Sequence, residues 1–139
     1  MAGSSENLAR LKRAYELWDK TKGTDTTMWT DLFADNVRFR SLAAGRPGVD
    51  FTMECRSASD VARYFAGLAA DWTMNHYRTE TFAVDGDRIV MSGTTSWTHK
   101  RTKRTVDTPK VDLVVFRDGR IVEFFELYDT EMILAAARP

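Results

Sequence analysis

The residue with the clearest chemical implication is an acid, Asp112, which stands within the apolar run VDLVVF at residues 111–116. Burial without a partner disfavours the charged form of a carboxylate and raises its pKa. Such an acid can donate a hydrogen bond while it is protonated, or act as a general acid or base near neutral pH. We therefore predict that Asp112 lines a pocket and carries or donates a proton there.

Two further groups are predicted to share this space. Because side chains alternate between the faces of a strand, two inward-facing sets can be read from the last part of the chain. They are Asp112, Val114 and Phe116 on one strand, and Val122, Phe124, Glu126 and Tyr128 on the next. The phenol of Tyr15, on the apolar side of an N-terminal helix, can reach the same space. A phenol beside a protonated carboxylic acid stabilises an enolate or another oxyanion, so we predict Asp112, Tyr15 and Glu126 as the catalytic residues.

A simpler interpretation of the same residues stays open. Asp112 can lie on a solvated or interface-forming face of the sheet and pair with an arginine of a neighbouring strand. Tyr15 can be an aromatic core residue whose hydroxyl is hydrogen-bonded. Perturbed acids mark functional sites only in a proportion of cases, so periodicity alone does not decide between the two interpretations.

Helices are predicted in the first half of the chain. Leu8, Leu11, Tyr15 and Trp18 recur at spacings of three and four, which indicates an amphipathic helix. A second, short helix is predicted to begin near Asp25. After a brief strand marked by Phe39 and Ser41, helix resumes at SASD, residues 57–60, where a serine and an acid have capping-box spacing. The buried side of this third helix is predicted to be Val61, Phe65, Leu68 and Trp72.

The second half of the chain has the period of strands. Residues 74–84, 89–99, 106–116 and 121–128 are predicted strands, and Asp85-Gly86 and Asp118-Gly119 are hairpin signals between them. Sequential hairpins produce an antiparallel sheet, and the early helices are expected to pack on one face of it, which is an α+β fold. Strands this long should coil, with bends predicted at Gly93 and Pro109. A bent sheet closed by helices forms a cone with an apolar, ligand-sized interior.

The walls of this cone define the predicted ligand-binding residues. Phe51 and Met53 follow the glycine- and proline-containing loop LAAGRPGVDF and are expected to cover a ligand, and His99 ends a strand near the mouth. The full predicted set is Trp18, Phe39, Ser41, Phe51, Met53, Phe65, His99, Val114, Phe116, Phe124 and Tyr128. Two distant histidines and one cysteine do not make a metal-ligand set, so neither a metal nor a cofactor is expected.

The composition restricts the class of protein. A length of 139 residues fits one domain, expected to cover residues 1–139. Twenty basic and twenty acidic residues leave no net charge, which argues against binding to nucleic acid or to a membrane surface. The single cysteine, Cys55, demands no oxidising compartment, and we expect no signal peptide and a cytoplasmic location.

Two segments carry a family resemblance. The phrase LFADNVRF and the ending VDLVVFRDGRIVEFFELYD, together with the order of helices, resemble the SnoaL-like polyketide cyclases and ketosteroid isomerase-like proteins of the nuclear-transport-factor-2-like superfamily. The similarity extends from about Asn7 to Leu134. It implies a cone-shaped, strongly curved antiparallel sheet packed with about three N-terminal helices, the ketosteroid isomerase-like or cystatin-like α+β barrel. It also implies a homodimer.

The resemblance also assigns roles to residues. In SnoaL-like cyclases the acid seven residues before the turn glycine is the acid/base, and counting back from Gly119 gives Asp112. In ketosteroid isomerases an acid of this strand and a tyrosine of the first helix form the oxyanion hole, and these match Asp112 and Tyr15. The position of the isomerase's proton-shuttling aspartate is occupied by Ser41, which cannot serve as a carboxylate base, so isomerisation of 3-oxosteroids is not expected.

The leading hypothesis is therefore a cofactor-independent enzyme of the isomerase, cyclase or dehydratase type. It would transfer a proton on a compact, mostly apolar carbonyl or polyketide-like molecule. The alternatives are a pocket that binds a hydrophobic small molecule without catalysis, and a dimeric interaction module whose outer sheet face is the functional surface.

Overall fold

The structure is a computed structural model that describes residues 3–139. Met1 and Ala2, the first two positions of the expected domain, lie outside the described residues. The elements are α1 (Ser4–Lys20), α2 (Thr27–Thr30), β1 (Phe33–Ser41), α3 (Ala58–Asp71), β2 (Trp72–Asp85), β3 (Arg88–His99), β4 (Thr105–Arg117), β5 (Arg120–Leu127) and α4 (Thr130–Ala137). A short 3₁₀ turn, Asp50–Thr52, lies between β1 and α3.

The strands form one curled, unclosed sheet in the order β1-β5-β4-β3-β2. The three pairs from β2 to β5 are antiparallel, as the hairpin signals predict. β1 instead pairs in parallel with β5, so the first strand of the sequence lies beside the last. The predicted α+β class, with helices packed against a strongly curved sheet, is confirmed.

The two predicted hairpin turns have the backbone that tight turns require. Asp118 and Gly119 both adopt positive φ, 52° and 77°, between the paired residues Arg117 and Arg120. Positive φ at both central positions is the type I′ turn that an Asp-Gly pair favours. In the other hairpin, Gly86 has a φ of 59°.

Curvature is introduced where the β2–β3 ladder is irregular. The register shifts between Thr79 and Thr81, directly beside the pair Thr79–Gly93. A Cβ atom on Gly93 would lie 1.9 Å from the Arg78 carbonyl oxygen, so only glycine permits this close approach of the two strands. The predicted bend at Gly93 is confirmed, whereas Pro109 pairs in regular register with Thr94.

The N-terminal helices cover the concave face of the sheet. α1 buries Leu11, Tyr15 and Trp18, as its periodicity predicts. α3 begins as predicted, because the Ser57 side chain accepts a hydrogen bond from the Asp60 amide at 3.1 Å. α2 is a single turn, and the strand β1 follows it closely.

The C-terminal helix α4 was not predicted from the sequence. Asp129 caps its start by accepting a hydrogen bond from the Met132 amide. At its other end, the β3–β4 hairpin supplies donors to the terminal carbonyl groups: the Arg104 guanidinium bonds the carbonyls of Ala135 and Arg138, at 3.0 and 2.6 Å. In residues 3–139, none of the helices combines the length and apolar character needed to cross a membrane.

Candidate functional site

An aromatic cavity lies between the concave face of the sheet and the helices, and has a volume of about 80 Å³. At about 10–15 Å³ for each water-sized group, this space holds roughly five to eight non-hydrogen atoms. All four tryptophans of the chain, Trp18, Trp29, Trp72 and Trp97, line it. α4 contributes Ile133 to its wall. The cavity is therefore suited to a compact and largely apolar molecule.

The sequence-based assignments separate into two groups around this cavity. The predicted residues that line it are Trp18, Phe39, Phe51, Phe65, Phe124, Glu126 and Tyr128. The predicted residues outside its lining are Tyr15, Ser41, Met53, His99, Asp112, Val114 and Phe116. The predicted catalytic acid and phenol are therefore brought together, but beneath the cavity rather than at its surface.

The polar floor of the cavity is built around Lys110. Its ammonium group lies 2.7 Å from Asp112 Oδ1, 3.1 Å from Glu126 Oε1 and 2.8 Å from the Tyr77 hydroxyl. These three contacts match the three hydrogens of an ammonium group. The Lys110 and Glu126 side chains are 6% and 9% exposed, and both line the cavity. An acid and a cation are thus presented side by side to any molecule inside.

Asp112 is fully buried and its oxygens are occupied. Oδ2 accepts hydrogen bonds from the hydroxyls of Tyr15 and Tyr77, each at 2.7 Å, and Oδ1 accepts from Lys110. The alternative of a solvated Asp112 paired with an arginine is therefore not what the structure shows: its partners are two phenols and a lysine. In this position Asp112 fixes the ammonium group and the Tyr77 hydroxyl.

Glu126 has a second anchor in Tyr64 of α3. The Tyr64 hydroxyl donates to Glu126 Oε2 at 2.5 Å, while Oε1 accepts from Lys110. Both anchors are donors, so Glu126 is held as a hydrogen-bond acceptor. Tyr64 lines the cavity as well. A molecule at the floor thus meets one carboxylate, one ammonium group and two phenols.

The ionisation of the floor follows from burial and from the two carboxylates. Burial by itself lowers the pKa of the Lys110 ammonium group, but Asp112 and Glu126 outweigh it, and the net shift is upward. Burial raises the pKa of Tyr15 and Tyr77 well above the usual value, and the Asp112 charge raises it further. Burial, followed in size by the Glu126 charge, likewise raises the pKa of Tyr64. At neutral pH the lysine is therefore charged and the three phenols are neutral.

The strand β4 places the lysine by simple alternation. Its buried positions are Val106, Thr108, Lys110, Asp112, Val114 and Phe116. The inward-facing series predicted from the sequence begins at Asp112 and therefore lacks Lys110, two residues earlier on the same face. Lysine is almost never fully buried unless it is paired, so a lysine at an inward position of an apolar strand was the available signal. Tyr64 and Tyr77 were missed too.

The remaining predicted residues have structural contacts. The hydroxyls of Ser41 and Tyr128 are hydrogen-bonded to each other at 2.5 Å, which ties β1 to the end of β5. His99 packs edge-on against Trp72, and its Nδ1 accepts hydrogen bonds from backbone amides of the following turn. Met53 is 54% exposed. In the described part of the chain, no group of three or more His, Cys, Asp or Glu side chains is arranged to hold a metal ion.

Comparison with known families agrees with the resemblance seen in the sequence. The family model for the SnoaL-like domain matches residues 11–124. No curated protein matches the chain significantly.

Solved structures with the same fold cover nearly the whole chain. An NTF2-like protein of unknown function from Burkholderia pseudomallei has a TM-score of 0.81 and 20% identity, over 96% of this chain and 98% of that one. A candidate SnoaL-like polyketide cyclase from Jannaschia has a TM-score of 0.76 and 16% identity, over 98% and 94%. A protein of ketosteroid isomerase-like fold from Catenulispora acidiphila, in complex with trimethylamine, has a TM-score of 0.72 and 16% identity, over 89% and 91%. At these identities the likeness establishes the shared fold.

Proposed function

The chain belongs to the SnoaL-like domain family, and from that premise we propose that it is an enzyme that transfers a proton on a compact carbonyl compound held in the aromatic cavity. The observation that carries this proposal is the pair at the cavity floor, the Lys110 ammonium group 3.1 Å from the Glu126 carboxylate. A base and an oxyanion donor side by side in an apolar enclosure are what enolisation of a carbonyl compound requires.

Glu126 is assigned as the proton acceptor. It is the carboxylate that lines the cavity. When Glu126 takes a proton from the carbon next to the carbonyl group, the electron pair of the broken C–H bond forms the enolate double bond. The carbonyl π electrons move to the oxygen. Glu126 then returns the proton, to the same carbon or to a conjugated one, which completes an exchange or an isomerisation without a cofactor.

Lys110 is assigned as the donor to the enolate oxygen. In the resting site its ammonium group is shared between Asp112 and Glu126. Protonation of Glu126 removes one of these negative charges at the moment when the enolate acquires one. The ammonium group thus gains a new partner without leaving its position, and a fixed charge in a site with little water stabilises an oxyanion strongly. The Tyr64 hydroxyl, bonded to Glu126, holds the carboxylate in place.

Asp112 and Tyr15, the acid and phenol predicted from the sequence, are assigned to positioning. Neither lines the cavity. Asp112 orients the lysine and Tyr77 through short hydrogen bonds, and Tyr15 donates to the same carboxylate oxygen as Tyr77. Their contribution to the reaction therefore passes through Lys110.

The cavity volume favours the compact carbonyl compound over a polyketide-like one. Roughly five to eight non-hydrogen atoms fit in about 80 Å³, which is a small cyclic or branched ketone. A multi-ring substrate would require displacement of a wall, such as the helix α4 that carries Ile133.

The test is hydrogen exchange in deuterated water, followed by NMR with a panel of ketones of this size. We expect the protein to exchange the α-protons of at least one member. Glu126→Gln should lower the rate by about 100-fold or more, since a positioned base contributes 10²–10⁴. Glu123→Gln, on the same strand but outside the cavity lining, is the matched control and should keep the rate. Exchange at the wild-type rate in folded Glu126→Gln would contradict the proposal.

Non-catalytic binding is the second candidate, because every hydrogen of the Lys110 ammonium group already has a protein partner. A site so fully paired can serve to orient a ligand only. Tight binding of a compact ketone, with no exchange by the wild-type protein in the same panel, would favour this candidate over the enzyme.

A further inference from the structure

The charges of the side chains at the cavity floor do not cancel. Two carboxylates, Asp112 and Glu126, lie against one ammonium group, that of Lys110. Lys110 and Glu126 are the charged side chains of residues 3–139 that line the cavity, and Asp112 lies directly beneath them. The phenols that contact the carboxylates are neutral donors at ordinary pH, because their pKa values are raised. The contacts of both carboxylates are with donors, as expected for ionised acids, so the formal charge of the floor is one negative unit.

The walls are suited to a positive charge. The cavity is lined by the rings of Trp18, Trp29, Phe39, Tyr64, Phe124 and other aromatic residues. Aromatic faces attract a cation through the ring quadrupole, most strongly where water is excluded. An uncompensated negative charge in an apolar enclosure is unfavourable, and a bound cation removes that cost. Two independent features, the charge balance and the aromatic walls, thus favour the same class of ligand.

We infer that the cavity selects a compact organic cation, an alkylammonium group of about five to eight non-hydrogen atoms, over neutral molecules of the same shape, and excludes carboxylates. The inference rests on the proposed function for the reacting end of the molecule and adds a charge class to it. The substrate is then a small carbonyl compound that also carries an amine, with its carbonyl group at Lys110 and its cationic end against the aromatic wall.

The position of Lys110 is compatible with a bound cation. Its ammonium group is enclosed by Asp112, Glu126 and Tyr77 within 3.1 Å. A ligand meets the electric field of the whole cluster, and Glu126 is the negatively charged acceptor in the cavity lining. A ligand carboxylate would meet the same Glu126 oxygens and be repelled.

The test compares three ligands of the same shape: choline, the neutral 3,3-dimethylbutan-1-ol, and the anion 3,3-dimethylbutanoate. Because all four tryptophans line the cavity, their fluorescence reports binding of each. We expect choline to bind the wild-type protein at least tenfold more tightly than the alcohol, and the anion to bind most weakly. Equal binding of choline and the alcohol, or tighter binding of the anion, would overturn the inference without any variant.

Two variants connect the preference to the charge. Glu126→Gln brings the net charge of the floor to zero and should reduce the preference for choline to within about threefold. Glu123→Gln, outside the lining, should leave it at the wild-type value. A full preference in folded Glu126→Gln would contradict the charge argument.

The outcomes separate this inference from the proposed function. Choline preference without α-proton exchange of any ketone in the panel, extended to ketones that carry an alkylammonium group, would support the inference and count against the enzyme. Glu126-dependent exchange of neutral ketones, with no preference for choline over the alcohol, would overturn the inference and leave the enzyme in place.

Discussion

Replacement of Asp112 by asparagine is the most direct test of the buried network. The substitution keeps the size of the side chain and removes its charge. Of the three hydrogen bonds that Asp112 accepts, from Tyr15, Tyr77 and Lys110, those to the oxygen that becomes the amide NH2 are lost, and the others become bonds to a neutral acceptor. Bonds to a charged group contribute about 1.5–3 kcal/mol and neutral ones about 1 kcal/mol. A loss of about 1 kcal/mol for each bond gives about 3 kcal/mol in the free energy of unfolding.

The cost of breaking a buried ion pair has the same magnitude. Removal of one partner from a buried ion pair costs about 3–5 kcal/mol. The lower end applies here, because Lys110 keeps Glu126 at 3.1 Å as a second carboxylate partner. For a chain of this length about 4 °C of melting temperature corresponds to 1 kcal/mol, so we expect Asp112→Asn to melt about 12 °C lower.

The assay is urea unfolding at neutral pH, followed by tryptophan fluorescence and circular dichroism. Asp107→Asn is the control, since it makes the same change on the same strand at a side chain that is 75% exposed. It should change stability by less than about 0.5 kcal/mol. If Asp112→Asn also costs less than about 1 kcal/mol, Asp112 is not the counter-ion that holds Lys110, and the assigned network is wrong.

A double-mutant cycle locates the effect. Tyr15→Phe removes one donor to Asp112 and should cost about 1 kcal/mol in the wild-type background. In the Asp112→Asn background the same change should cost less, because the Tyr15 bond is then either absent or made to a neutral acceptor. A coupling energy near zero would show that the Tyr15 hydroxyl is stabilised by something other than Asp112.

Two further predictions concern alkaline pH and the C-terminal helix. The Lys110 ammonium group and the phenols of Tyr15, Tyr64 and Tyr77 all have raised pKa values in the folded protein. Their contribution to stability is fully present below their unfolded pKa values, near 10, and is lost as the pH rises from there towards the folded values. Each group contributes up to about 1.4 kcal/mol per pH unit to this loss, so the free energy of urea unfolding should fall steeply above about pH 10. Tyr64→Phe should reduce the slope of that fall by the contribution of about one group. An unchanged slope would contradict the assignment. Arg104→Ala removes a cation from the carbonyl end of α4, where it is stabilising by about 0.3–1 kcal/mol. Hydrogen exchange of the α4 amides should accelerate while that of β4 stays unchanged, and Lys103→Ala, the same charge change in the same hairpin, should leave both as they are.

Local sequence patterns were sufficient to predict most of the helices, strands and turns. The stripe of α1, the cap of α3 and the two Asp-Gly turns depend on residues near one another in the sequence, so their period and turn chemistry could be read directly. β1 pairs in parallel with β5, which begins nearly eighty positions further along the chain. No local signal specifies such a pairing. α4 was missed because its residues are mainly apolar and its carbonyl end is stabilised by donors from the distant β3–β4 hairpin.

Tyr77 illustrates why part of the site was not predictable. Strict alternation from the buried residues Trp72 and Met74 would place position 76 inward and Tyr77 outward. The β2 register shifts between Met74 and His76, so Asn75 is an extra residue and the parity is reversed. Tyr77 is consequently buried and reaches Asp112. A bulge of this kind arises from the curvature of the whole sheet and cannot be read from the sequence around it.

The depth of each residue along β4 decides which of them meets a ligand. Inward-facing residues of a strand follow one another at about 6.6 Å, twice the rise per residue. Thr108 and Lys110 line the cavity, whereas Asp112, the next inward position, lies beneath it under a complete set of hydrogen bonds. The strand therefore places a cation in the cavity lining and an acid beneath it. Glu126 pairs with Asp112 across the β4–β5 ladder and still reaches the cavity. The charged groups in the cavity lining are thus Lys110 and Glu126, and Asp112 contacts the lysine from beneath.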